Sequence, residues 1–202
     1  MLSLQTMVTI AIERMEGCKM EGLVMVKFAL FDYVPQRYMR SASFEDVVRN
    51  RKILDFKDGK SYAVSWAAKV ISTSLSLMDL SNTVVVCIPA CCKRTNDRRF
   101  KKFSAMMCER LGSVNGFDYV QVTDKRRKAH IDHVHDIVEG DYVHIDEKYF
   151  AGKEVIVVDD IVTSCKTADA FIEMMRLAGA KVRMAVFLAK TKSYKCRSLS
   201  YS

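Results

Sequence analysis

Proline and glycine are scarce in this sequence, with two and eight among 202 residues. So few chain breakers, with half of the residues hydrophobic, argue against a disordered chain and against a repeat array. No Cys-x-x-Cys pair occurs among the seven cysteines, which removes zinc-ribbon spacing. An odd count, with Cys91 and Cys92 adjacent, does not make a disulfide framework. Free thiols of this kind fit a reducing, cytoplasmic setting. The apolar start has neither a basic leader nor a clear cleavage site. Ionisable residues interrupt every long apolar run, so no segment reads as a transmembrane helix and no membrane partner is expected. No internal repeat is present.

Basic residues outnumber acidic ones, 32 to 24, for a net charge of +8. That balance suits an anionic partner such as nucleic acid or a phosphorylated small molecule. One basic group is Lys93, Arg94, Arg98, Arg99, Lys101 and Lys102; the other is Lys125, Arg126, Arg127 and Lys128. Taken alone, each reads as a solvated face.

Patterning is weak before residue 53: Val24 to Tyr33 is mixed and Ser41 to Lys52 is polar. Beyond it the order becomes regular. Lys57-Asp58-Gly59 marks a turn, and Ser61 to Leu80 reads as a helix with Val64, Ala67, Ala68, Ile71, Leu75 and Met78 on one face. Thr83 to Ile88 is a Val-rich buried strand ended by Pro89. Asp97, as N-cap, opens a helix to Leu111 that Gly112 stops. Phe117 to Val122 reads as a strand, and Thr123 to Tyr149 as a long charged segment. Glu154 to Val158 is another buried strand, Thr167 to Ala178 a helix with Gly179 beyond it, and Lys181 to Ala189 a last strand. Alternating strands and helices imply an α/β fold with a parallel sheet flanked by helices. Ligands then sit beyond the carboxyl ends of the strands, so the loops after Ile88, Val122 and Val158 are the ones that matter.

The segment Val155 to Thr167 carries the most chemistry. A buried strand runs into Asp159 and Asp160, and Thr163, Ser164, Cys165 and Lys166 then lead to a helix opening near Thr167. A helix start offers unpaired N–H groups and a positive dipole end, which bind phosphate. Hydroxyls of Thr163, Ser164 and Thr167 add donors. Carboxylates repel phosphate but accept hydrogen bonds from a vicinal diol. Phosphate on one side and diol on the other describe a ribose 5-phosphate. Turn and helix capping would account for one Asp and one Thr at most. His130, His133 and His135, beside Asp132 and Asp136, follow no strong zinc spacing and read as part of a polar flap. Cys87, Cys91 and Cys108 read as core or loop thiols.

Residues Val155 to Thr167 resemble the signature of the type I phosphoribosyltransferases: a hydrophobic strand, an acidic pair and a small-residue phosphate loop. Cys165 stands where that loop more often has Gly; a positive φ there would strain it. The resemblance assigns Ile88 to Arg94, with Ala90, Cys91, Lys93 and Arg94, to a pyrophosphate loop, and 123–149 to a mobile flap. Within the family, Leu54 to Gly59, Arg99-Phe100 through Leu111, and Gly140-Asp141-Tyr142-Val143 resemble the ComF-like, competence-associated group, without its zinc-ribbon module.

The resemblance implies a Rossmann-like type I fold. An N-terminal extension at 1–52 would precede the phosphoribosyltransferase domain at 53–192, and a tail at 193–202 would follow. It implies phosphoribosyl diphosphate with Mg²⁺, held through the diphosphate and by Asp159 and Asp160, and transfer to a nitrogen acceptor with release of pyrophosphate. Purine-salvage members carry Asp at the first loop position. Thr163 there cannot accept a proton near neutral pH, which argues against hypoxanthine-guanine salvage. A catalytically silent, regulatory or nucleic-acid-binding protein on the same fold is the alternative, and either is compatible with a homodimer.

Overall fold

The computed structural model describes residues 16–20, 23–123 and 142–192. Among them, six strands form one sheet. They are β1 (Glu16–Met20), β2 (Leu23–Tyr33), β3 (Thr83–Cys87), β4 (Val114–Asn115), β7 (Glu154–Val162) and β8 (Lys181–Thr191), in the order β1-β2-β8-β7-β3-β4. Only the β1–β2 pair is antiparallel. A separate antiparallel ribbon joins β5 (Val120–Val122) to β6 (Val143–Ile145).

All five residues of β3 are buried, as a β-branched run covered on both faces must be. Alternation divides the interior into two cores. Val85, Cys87, Ile156, Val158 and Val186 face α1 (Phe44–Lys57), α2 (Ser61–Ser74) and α4 (Lys102–Leu111). Val84, Val86, Val155, Val157 and Phe187 face α5 (Glu147–Phe150) and α6 (Lys166–Leu177). In the first core three Phe rings cluster, with Phe56 and Phe103 centred 5.0 Å apart and Phe100 6.2 Å from Phe103. Each such ring removed from water contributes about 1.5–3 kcal/mol. The result is the expected α/β fold, a mostly parallel sheet between helical layers.

Local departures have local causes. The helix expected to Leu80 ends at Ser74. There Ser72, Ser74 and Ser76 turn their hydroxyls onto the carbonyls of Lys69, Ile71 and Thr73, competing with further helix. Asp97 is no N-cap. The helix starts earlier, as α3 (Lys93–Asn96), and runs through a π turn (Asp97–Lys101) into α4. Asp97 instead pairs with Lys93, Nζ to Oδ2 2.9 Å, one turn back. The strand expected over Phe117–Val122 is split: Phe117–Tyr119 is a 3₁₀ turn, and Val120–Val122 pairs with β6 rather than with the sheet. The sheet takes Val114–Asn115 instead. Gly116 makes the pivot, because a Cβ there would lie 2.7 Å from methyls of Val84 and Val86.

Residues 23–52 also contribute to the main architecture. β2 pairs in parallel with β8, and α1, capped by Ser43, begins at Phe44. The position 53 taken as a domain start lies inside α1.

Candidate functional site

β3 and β7 are register partners, with Cys87 opposite Val158, and Ile88 N–H donates to the Val158 carbonyl at 2.9 Å. The two loops singled out in the sequence therefore leave the same edge of the sheet from adjacent strands.

β7 runs on past the expected Val158 to Val162. Thr163 and Ser164 are exposed, and the chain then turns at Cys165, φ 61° and ψ −11°. Among the described residues Cys165 is the one non-glycine residue with positive φ. It is the N-cap of α6, and its carbonyl receives the Asp169 N–H at 2.8 Å, closing the first helical turn. The N–H groups of the residues just after Cys165 precede that ladder and have no carbonyl within the helix to meet. Lys166 and Thr167 are exposed beside them. Thr163 Oγ1 lies 3.0 Å from Thr191 Oγ1, tying the loop to the end of β8. Backbone donors, hydroxyls and the positive end of a helix dipole thus meet at one turn, a combination whose chemistry suits an anion.

Sequence reasoning missed Lys27. It is buried in β2 and forms an ion pair with Asp169 in the first turn of α6, tying that turn to the sheet. The weak patterning of residues 1–50 hid the strand that carries it.

The acidic pair is divided by the strand's alternation. Asp160, 5 % exposed, points to the α1–α4 side, where Arg99 Nη1 lies 2.8 Å from its Oδ2. Asp159 faces the other way, opposite Phe187 in register, and is half-buried. Burial first, and the Asp160 charge second, push the Asp159 carboxyl well above the usual carboxylate range.

In the loop after β3, Ala90 is buried and its N–H donates to Asn96 Oδ1 at 2.9 Å. Cys91 is exposed, and Cys92 Sγ meets Thr95 Oγ1 at 3.2 Å. Lys93 and Arg94 are exposed at the start of α3. A cleft of about 650 Å³ runs from there along the base of the β5–β6 ribbon, past Lys101, Phe117 and Gln121.

The second basic cluster and His130, His133 and His135 lie outside the described residues, as does most of the expected flap. Burial raises the Cys87 and Cys108 thiols, as expected of core thiols. Among the described residues no three His, Cys, Asp or Glu side chains converge, and no helix is long and apolar enough to cross a membrane.

A family model described as "Phosphoribosyl transferase domain" matches residues 50–199. The chain belongs to that family. The match takes in both loops of the phosphoribosyl transferase domain, the ribbon between them and the strand β8. Adenine phosphoribosyltransferase from Rhodothermus marinus is similar in structure, with a TM-score of 0.41 and 14% identity. That likeness covers 92% of this chain and 87% of that one, and it is too slight to bear on the acceptor. No curated protein sequence matches the chain.

Proposed function

We propose that the chain binds 5-phosphoribosyl 1-diphosphate with Mg²⁺ and transfers the phosphoribosyl group to a nitrogen acceptor, releasing pyrophosphate. The observation that carries this reading is the β7–α6 turn. Cys165 holds φ 61° so that hydroxyls and the start of α6 form an anion cradle directly after Asp159. Cys165 through Thr167, with Ser164, would take the 5-phosphate. Asp159 would accept from the sugar diol, and Lys93 and Arg94, with the backbone of Ala90 and Cys91, would meet the diphosphate. During transfer the C1–O bond to diphosphate breaks with its electron pair and a C1–N bond forms. Asp159 lies where it can favour the positive charge that develops on the ring.

The residues fit a metal that arrives with its substrate. Mg²⁺ keeps most of its waters and takes one or two carboxylates plus phosphate oxygens. A carboxyl disfavoured by burial and by a like charge, as Asp159 is, gains from such a cation. When bound, Mg²⁺ neutralises the leaving diphosphate. Thr163 cannot serve as a base near neutral pH, which argues against hypoxanthine-guanine salvage. The three local patterns already described support a ComF-like placement.

Calorimetric titration with Mg²⁺ and phosphoribosyl diphosphate tests the reading. Binding by the unmodified chain and loss in Asp159→Asn are expected, and equal binding by both would remove it. The exposed run Lys93, Arg94, Arg98, Lys101 and Lys102 favours a second reading, a nucleic-acid-binding role on the same fold. DNA or RNA affinity falling steeply with salt, and competed by phosphoribosyl diphosphate, would join the two.

A further inference from the structure

Arg99 differs from the basic residues around it. Lys93, Arg94, Arg98, Lys101 and Lys102 are exposed, whereas the Arg99 side chain is 12% exposed. Its Nε donates to the Lys57 carbonyl at 3.1 Å and its Nη1 sits 2.8 Å from Asp160 Oδ2. That oxygen is buried and no aligned hydrogen bond reaches it, so the Arg99 guanidinium meets it as a charge. A carboxylate so enclosed is costly unless a cation stays with it.

The cation is delivered by the π turn. One extra residue per turn rotates the helix face, and such turns recur at functional sites. Here the turn aims Arg99 at β7 while Phe100 fills the core. One turn earlier on the same stretch, Asn96 holds the Ala90 N–H. A single helical stretch therefore holds the loop after β3 through Asn96 and the end of β7 through Arg99.

We propose that Arg99 is a positioning residue that uses Asp160 as an anchor to lock the acidic end of β7 to the helix carrying the diphosphate loop, leaving Asp159 as the carboxylate presented to the sugar. The proposal rests on the phosphoribosyl reading of the site. It assigns the two adjacent acids different work: Asp160 organises and Asp159 binds.

The test compares the full-length chain with Arg99→Met, Arg99→Lys, Asp160→Asn and the double variant Arg99→Met/Asp160→Asn. Amide hydrogen exchange is followed without ligand at residues 90–92 and 160–162. Arg99→Met and Asp160→Asn should each speed exchange in both segments, with no further gain in the double variant and partial protection in Arg99→Lys. Titration with Mg²⁺ and phosphoribosyl diphosphate should show tenfold or weaker binding in Arg99→Met and in Asp160→Asn, again without multiplication. Asp159→Asn should lose more than either. Unchanged exchange at 90–92, multiplying losses, or a melting-temperature drop without loss of affinity would overturn the proposal. If the unmodified chain binds no phosphoribosyl diphosphate, the functional reading fails, while exchange at the two segments still decides whether Arg99 couples them. Should Arg99→Met not fold, Arg99→Lys and Asp160→Asn carry the comparison.

Discussion

Asn96 accepts the backbone N–H of Ala90 at 2.9 Å, with the Asn96 side chain buried. The bond fixes the loop after β3 from inside. Asn96→Ala leaves a buried N–H without a partner, a loss of about 1–3 kcal/mol. It also frees the loop that would meet the diphosphate. The expected outcome is a KM for phosphoribosyl diphosphate raised roughly tenfold, equivalent to about 1.4 kcal/mol, with a smaller change in kcat. Steady-state kinetics and thermal melts on the same preparation check both parts.

Cys165 occupies a conformation that costs a residue with a Cβ about 1–2 kcal/mol. Glycine removes that strain but gives back about 0.5–1 kcal/mol through the freedom of its unfolded chain. Cys165→Gly should therefore stabilise the protein by a net of about 0.5–1 kcal/mol. Cys165→Val, branched at Cβ, should destabilise it. Denaturant midpoints of the three proteins check the order Gly, Cys, Val.

Asp55 governs the acid limit of the α1–α2 corner. Its buried carboxylate receives Lys60 Nζ at 2.8 Å and the Tyr62 hydroxyl, with Arg51 Nε 3.3 Å away. The hydrogen bonds from Lys60 and Tyr62 hold its pKa down to about 2. A depressed carboxyl stabilises the fold fully above the unfolded value of about 3.9. That stabilisation is lost as pH falls through about 2. Melting temperature should therefore decline between about pH 4 and pH 2, and Asp55→Asn should flatten this part of the profile while lowering stability at neutral pH.

Gly116 admits no side chain. Gly116→Ala would force a methyl to within 2.7 Å of Val84 and Val86, both buried in β3. The overpacking should cost about 1–3 kcal/mol. The equivalent change at Gly112 meets no neighbouring atom and carries only its positive-φ penalty. Urea unfolding of the pair separates crowding from backbone strain.

The strands β3, β7 and β8 were legible in the sequence because parallel, doubly covered strands are written as continuous apolar runs. Helix α1 was not. It leaves Phe44, Val47, Val48 and Leu54 exposed and buries Asn50 and Asp55 beside Ile53 and Phe56, so polar and apolar residues do not divide between its faces. Asn50 is buried because it holds both backbone groups of Val34, at 3.1 and 2.6 Å, a partner far along the chain that no local window contains. The strand–loop–helix unit from Val155 to Thr167 was readable, since its signal is local. The separate roles of Asp159 and Asp160 were not, because they depend on which face of β7 each takes and on Arg99, brought in from another element.

In the β5–β6 ribbon Val122 pairs with Val143, and Thr123 N–H donates to the Tyr142 carbonyl at 2.8 Å. Two cross-strand partners thus seal the chain at the point where residues 124–141 depart and return. The ribbon is therefore a clasp: it holds Thr123 and Tyr142 together with residues that all lie outside 124–141.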